Sequence, residues 1–153
     1  FLSMGRPDEK GCYCSVNTLL KESIETLSAR FDLTVIDAEA GIEQVNRDVM
    51  SAVDLLLLVS DTSAKALRVA REIRDVAQKS NPKCGAALLL NRIRHDDEVE
   101  SIQARIDLPL IGYLPDDSTV RKFDAEEISF FEFPNGEAYS RALSAFKKAG
   151  IIP

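Results

Sequence analysis

The sequence has few of the features that mark membrane, nucleic-acid-binding and disulfide-rich proteins. No apolar run approaches the roughly 20 residues that a membrane-spanning helix requires, and the longest, Val53 to Ser60, is interrupted by Asp54. No stripe of Lys or Arg stands out in a chain of net charge −6, so nucleic acid is not an expected partner. Three cysteines are too few for a disulfide framework and suit a reducing cytoplasm. We therefore expect a cytoplasmic protein without a membrane span.

Strand-like and helix-like runs alternate along the 153 residues, which are enough for one domain with a real core. Apolar and β-branched runs predict strands at Leu33–Asp37, Leu55–Val59, Ala86–Leu90 and Pro109–Leu114. Helical spacing predicts helices at Val16–Ala29, Val45–Val53, Ser63 (as the N-cap) to Gln78, Asp97–Ile106 and Glu137–Ala149. This alternation predicts a single α/β domain over residues 1–153, with a parallel β-sheet covered by helices on both faces.

Asp37 closes the first predicted strand, and Gly41 follows four residues later. Ligands of open parallel sheets bind beyond the carboxyl ends of the strands. A carboxylate there can hold Mg²⁺, and a glycine lets a backbone N–H approach a phosphate. Asp37 is equally compatible with a plain loop carboxylate or a helix cap.

Polar residues also follow the later strands. Asn91-Arg92 comes after Ala86–Leu90, and an Asn amide offers one donor and one acceptor, which complements an adenine edge. Asn at a strand end is also a common turn former. Leu114-Pro115-Asp116-Asp117 could line a base and ribose, although a turn with an N-cap explains it as well. For Ser60-Asp61-Thr62-Ser63 we favour helix capping.

Cys12 and Cys14 form a Cys-x-Cys pair in a loop that contains Gly11. Two thiolates are too few for a structural zinc site, which needs four ligands. A twofold dimer would bring two pairs together into a four-thiolate site suited to Zn²⁺ or Ni²⁺. Two free thiols are the simpler interpretation. We expect Cys84, just before a buried strand, to lie in the core, and His95 to lie at the surface.

Four motifs together resemble a known family. They are Gly11-Cys12-Tyr13-Cys14, Asp37-Ala38-Glu39-Ala40-Gly41-Ile42-Glu43, Val59-Ser60-Asp61-Thr62-Ser63 and Leu90-Asn91-Arg92. Their order and spacing resemble those of the nickel-associated ATPases that mature carbon monoxide dehydrogenase. Those proteins belong to the deviant P-loop class, with the nitrogenase iron protein and the septum-site and partition ATPases.

The resemblance implies a role for each motif. Cys12 and Cys14 would bind nickel or zinc across a homodimer interface. Asp37, Glu39 and Gly41 would form the Mg²⁺-binding strand end and the switch that senses the γ-phosphate of ATP. Asn91, with Arg92 beside it, would recognise adenine. Pro115 and Asp117 would flank the nucleoside, and the partner would be carbon monoxide dehydrogenase or a similar nickel enzyme.

One departure from the family is serious. No Gly-x-x-x-x-Gly-Lys-Ser/Thr pattern or variant of it occurs in the sequence. The backbone donors and Lys of that loop supply much of the transition-state stabilisation in such enzymes. Because the chain begins with Phe1, we expect a carboxyl-terminal portion of a longer ATPase. We expect this portion not to hydrolyse ATP unaided, and to bind ATP weakly or not at all.

Two other functions fit parts of the sequence. A non-catalytic metal-binding or dimerisation module would need only the Cys-x-Cys loop and a dimer face. A receiver-like signalling domain would use Asp37 as a phosphoryl acceptor. That domain needs a Lys at the end of a later strand, where this sequence has Asn91-Arg92 or Pro115-Asp116.

Overall fold

The computed structural model describes residues 14–37 and 53–153. The helices are α1 (Cys14–Ser28), α2 (Ala64–Ser80), α3 (Asp96–Gln103), α4 (Ser118–Ala125) and α5 (Glu137–Lys148), with a 3₁₀ turn at Phe130–Glu132. The strands are β1 (Leu55–Ser60), β2 (Gly85–Ile93) and β3 (Leu110–Pro115). No helix among these residues is long and apolar enough to cross a membrane.

The three strands form a parallel sheet in the order β1-β2-β3. Leu55 of β1 is opposite Gly85 and Ser60 is opposite Leu90, an unbroken register along the whole of β1. On the other side of β2, the register with β3 shifts between Leu90 and Ile93. A further shift lies between Leu88 and Leu89. All three strands end at one edge of the sheet, and the shift between Leu90 and Ile93 lies at that edge.

The central strand β2 supplies core residues to both faces of the sheet. Leu88 and Leu90 are completely buried with Ala70 of α2 and Val99 of α3. On the opposite face, Leu89 packs in a cluster whose other buried members are Ala87, Ile111 and Ala145 of α5. Full burial of each leucine contributes about 1.5–3 kcal/mol. The predicted parallel sheet with helices on both faces is confirmed.

The strand predicted at Leu33–Asp37 is wrong for the described structure. Residues 33–37 belong to no strand there, and the apolar side chains of Leu33, Val35 and Ile36 are exposed. Its β-branched sequence favours an extended backbone, but a strand also needs a neighbour for its backbone hydrogen bonds. Among the described residues, β1 is paired only with β2, so no strand on its other side is available to residues 33–37.

The other predicted elements are found with small changes in their ends. Ser63 caps α2 by accepting a hydrogen bond from the Ala66 N–H, and Cys84 is buried. The helix α4 and the 3₁₀ turn were not predicted, because residues 118–132 show no clean apolar stripe. The helix predicted at Val45–Val53 lies outside the described residues except at its last position.

Gly112 lets α5 approach β3 closely. A Cβ at this position would stand 2.8 Å from the Cβ of Ala145, a buried residue that has little room to move. We expect Gly112→Ala to lower the free energy of unfolding by about 1–3 kcal/mol through overpacking, measured by urea denaturation.

Gly136→Ala is the matched control, because the nearest atom to its added Cβ would be 3.9 Å away. Equal stability of the two variants would show that β3 and α5 are not packed this closely.

Candidate functional site

The three strands end at one edge of the sheet, where several residues that the sequence singled out lie. Residues 61–63 follow β1, residues 94–95 follow β2, and residues 116–117 follow β3. Because the strands are parallel, these three loops lie side by side. We call these loops, together with the strand residues 91–93 and 115 that lead into them, the edge loops.

Asn91 and Arg92 lie inside the irregular end of β2. Arg92 has a φ of 59°, in the left-handed region that only a few per cent of non-glycine residues adopt. Its N–H donates to Oδ1 of Asn91 over 2.9 Å. Asn91 thereby supports the strained turn with its carbonyl oxygen, while no described residue takes up its Nδ2 donor. Such strain persists where the surrounding structure determines it, and it clusters at binding sites.

Asp61 shapes the loop after β1. Asp61 accepts a hydrogen bond from the Ser63 N–H over 2.8 Å, so the interpretation of this segment as a capping loop is confirmed. Hydrogen bonds from Ser63 lower the pKa of Asp61, and the positive charge of Arg92 lowers it further.

Glu98 is the strongest connection between these loops, and the sequence analysis did not identify it. One carboxylate oxygen accepts from the backbone N–H groups of Arg94 and His95, at 3.1 and 3.0 Å. The other accepts from Oγ1 of Thr62 at 3.1 Å. The available signal was a Glu three residues after His95, the spacing of a capping box. His95, at the N-cap, is exposed as expected.

Asp116 and Asp117 have different tasks. Asp117 accepts from the Thr119 N–H over 2.7 Å and caps α4, so the turn-and-cap interpretation is confirmed. Asp116 forms ion pairs with Arg121 and, over 3.6 Å, with Nε of Arg94. The Asp116 N–H donates to the carbonyl oxygen of Ile93. The loop after β3 is therefore held to the end of β2.

Tyr113, in β3, connects that strand to α3 and α5. Its hydroxyl donates to Oδ1 of Asp96 over 2.6 Å, and the Arg141 guanidinium lies 4.3 Å from the centre of its ring. The hydrogen bond to Asp96 is the main reason that the pKa of Tyr113 is raised. This contact joins the start of α3 to β3 and α5.

The remaining predicted residues are not brought to the edge loops by the described structure. Asp37 is exposed and belongs to no strand or helix of the described structure. Cys14 begins α1, while Cys12, Glu39 and Gly41 lie outside the described residues. Within residues 14–37 and 53–153, no group of three or more His, Cys, Asp or Glu side chains could hold a metal ion.

Glu98 generates a pH-dependent prediction. Hydrogen bonds from the His95 N–H above all, and from Arg94 and Thr62, lower its pKa from the ordinary 4.5. A lowered pKa gives stability that is present above the ordinary value and is lost as the pH falls through the folded-state value. We therefore expect Glu98→Gln to be less stable than the unmodified chain at pH 7, with a smaller difference at about pH 3.

Asp97→Asn, which removes a carboxylate from the same turn, is the control for net charge. Urea denaturation at the two pH values measures the effect. A Glu98→Gln difference that is constant with pH, or equal to that of Asp97→Asn, would contradict the role given to this carboxylate.

Comparisons with known proteins bear on the family and the fold. No family model matches the chain. An ATP-binding protein of Methanocaldococcus jannaschii is 31% identical over 151 residues, which cover 96% of this chain and 60% of that protein. The carbon monoxide dehydrogenase accessory protein of Rhodospirillum rubrum is 30% identical over 124 residues, covering 80% of this chain and 47% of its own length.

Among solved structures, the septum site-determining protein MinD of Pyrococcus horikoshii, complexed with Mg-ADP, superimposes with a TM-score of 0.72. The match is 21% identical and covers 87% of this chain and 56% of MinD. This likeness shows a shared fold. The chain spans about half of the length of these relatives, from 47% to 60%.

Proposed function

We propose that this chain, whose sequence and fold fit the deviant P-loop ATPase class that includes the carbon monoxide dehydrogenase accessory proteins, binds the nucleoside part of ATP at its edge loops. The observation that carries the proposal is the strained turn at Arg92, which fixes the Asn91 amide at the end of the central strand. The similarity to an ATP-binding protein along 96% of the chain supports it.

The edge loops have the chemistry that a nucleotide needs. The Nδ2 of Asn91, which no described residue takes up, can donate to an adenine ring nitrogen, and Pro115, opposite Ile93 at the same end of the sheet, offers an apolar surface. Arg92 supplies a guanidinium group at this edge, where Arg94 and Arg121 are paired with Asp116. Asp117 acts through α4, since its carboxylate holds the first turn of that helix beside the nucleoside.

The catalytic part of the proposal rests on residues 37–41. Asp37 would bind Mg²⁺ with the phosphates of ATP, and Glu39 and Gly41 would belong to the segment that responds to the γ-phosphate. When it is bound, Mg²⁺ neutralises part of the negative charge of the phosphates. The P-loop pattern is absent from these 153 residues, so ATP hydrolysis is proposed for a complete protein, and not for this chain alone.

The metal-handling part of the proposal rests on the Cys-x-Cys pair. Cys12 and Cys14 of two copies would hold one nickel or zinc ion across a homodimer, and the client would be carbon monoxide dehydrogenase or a similar nickel enzyme of the cytoplasm. The similarity to an accessory protein of that enzyme supports this client. A non-catalytic metal-binding or dimerisation module is the second candidate, favoured for this chain by the absence of the P-loop pattern.

Weak nucleotide binding at the edge loops is directly testable. We expect Mg-ATP at millimolar concentration to shift the NMR signals of Asn91, Arg92 and Asp117 in the 153-residue chain, with no micromolar binding by calorimetry. Asn91→Ala should abolish these shifts, because it removes both the base donor and the support of Arg92.

Asn135→Ala, which removes an exposed asparagine in the turn before α5, is the matched control and should leave the shifts unchanged. Shifts confined to other parts of the chain, or no shifts at all, would contradict nucleoside binding here.

Metal stoichiometry tests the Cys-x-Cys part separately. We expect one Zn²⁺ or Ni²⁺ per two chains by equilibrium dialysis, and loss of that metal in the Cys12→Ser/Cys14→Ser variant. Cys84→Ser is the control, because that thiol is buried in the core. Unchanged metal binding in the double variant would rule the site out.

A further inference from the structure

Phe131 is the most exposed of the large apolar side chains in the described structure. Its exposed fraction is 103%, and that of the neighbouring Phe130 is 55%. Single exposed apolar residues are ordinary on protein surfaces. Two adjacent phenylalanines on a short 3₁₀ turn are a larger feature, and exposed apolar patches often mark interaction sites.

The turn that carries Phe131 is firmly built. Its N–H donates to Oγ of Ser129 over 3.3 Å, and the Phe133 N–H donates to the carbonyl oxygen of Phe130 over 3.1 Å. Glu127 has a φ of 53°, so the backbone turns sharply just after α4. Phe131 is therefore exposed on an ordered turn.

An aromatic cluster packs the same turn against α4. The ring centres of Phe123, Phe130 and Phe133 lie 5.3–6.0 Å apart, in tilted and edge-on contacts typical of stabilising aromatic pairs. Phe123 belongs to α4, whose first turn is capped by Asp117. The Phe131 ring is not part of this cluster and is exposed to solvent.

The segment that carries Phe131 has charged residues of one sign only. Residues 124–137 contain five acidic residues and no Lys or Arg. The acidic residues are Asp124, Glu126, Glu127, Glu132 and Glu137. All five are exposed, and in the described part of the chain only Glu137 forms an ion pair, with Arg141.

We infer that Phe131 is the anchor of a docking surface for a protein partner that has an apolar pocket rimmed by Lys and Arg. Residues 124–137 form this surface. Acidic side chains around a central aromatic residue complement such a pocket and speed its approach. The same acidic segment of a second copy would be repelled by this surface, and so would an anionic lipid surface. The surface begins at the far end of α4, about 12 Å from the edge loops, and it does not depend on what those loops bind.

Selection from a random peptide library displayed on phage tests this inference with a defined probe. The immobilised target is the 153-residue chain, and the enriched peptides are synthesised and measured by fluorescence anisotropy. We expect them to combine a large apolar residue with Lys or Arg, and to bind Phe131→Ser about tenfold or more weakly. The Glu126→Gln/Glu127→Gln/Glu132→Gln variant should bind more weakly and lose most of the salt dependence.

Two variants distinguish a loss of peptide binding from a loss of folding stability. Tyr139→Ser removes another exposed aromatic side chain, and we expect it to bind the peptides as the unmodified chain does. Phe131→Ser should keep the thermal unfolding midpoint of the unmodified chain, because its ring is outside the aromatic cluster. A lowered midpoint would mean that the ring is structural, and would overturn the inference.

Other outcomes also overturn it. These are the absence of enriched peptides, or peptides that bind Phe131→Ser as tightly as the unmodified chain. Self-association in sedimentation that Phe131→Ser abolishes would instead assign the surface to a second copy. Binding to vesicles of equal parts phosphatidylcholine and phosphatidylglycerol that depends on Phe131 would assign it to a membrane.

Discussion

The parallel pairing of β2 with both of its neighbours is the constraint on which the rest of the described structure depends. Because the backbone hydrogen bonds of β2 pair it in parallel with β1 and with β3, the carboxyl ends of the three strands lie at one edge of the sheet. The alternation along β2 then decides what covers each face. Leu88 and Leu90 face α2 and α3, while Ala87 and Leu89 face α5. A shift of one residue in this register would exchange the two sets.

At the edge itself, polar contacts replace apolar packing. Glu98 joins the loops after β1 and β2, and Asp116 joins those after β2 and β3. Each uses a carboxylate near the surface, where a single ion pair is worth little. Together they hold the backbone of residues 93–95, directly after the strained Arg92, in one position. The proposed binding of a nucleoside needs this rigidity, because a site must hold its groups in a fixed geometry.

The sequence predicted an element correctly where a single physical cause, such as burial or helix capping, determines that element. The apolar runs of the three strands and the stripe of α2 depend on burial, and their predictions are confirmed. Ser63 and Asp117 are recognisable caps because a short polar side chain before a helix can accept the free backbone donors. Leu33–Asp37 failed because a strand depends on a neighbour as much as on its own residues. The predictions for Cys12, Glu39 and Gly41 remain predictions.

The sequence was least informative about contacts between loops. Nothing in the spacing of Thr62 and Glu98, 36 residues apart, indicates that they share a hydrogen bond. The strain at Arg92 was likewise hidden, because it arises from the register shift between two strands. The exposed Phe131 could not be told from a core phenylalanine before the 3₁₀ turn was known. Each of these depends on the assembled sheet.

The central claim is that the adenine of ATP lies against the end of the central strand. Isotope-filtered NOE spectroscopy of the labelled chain with unlabelled Mg-ATP measures that contact directly. We expect NOEs from the adenine ring protons to the Asn91 side-chain amide and to the ring of Pro115. Adenine NOEs to residues elsewhere in the chain, with none to these two, would contradict it.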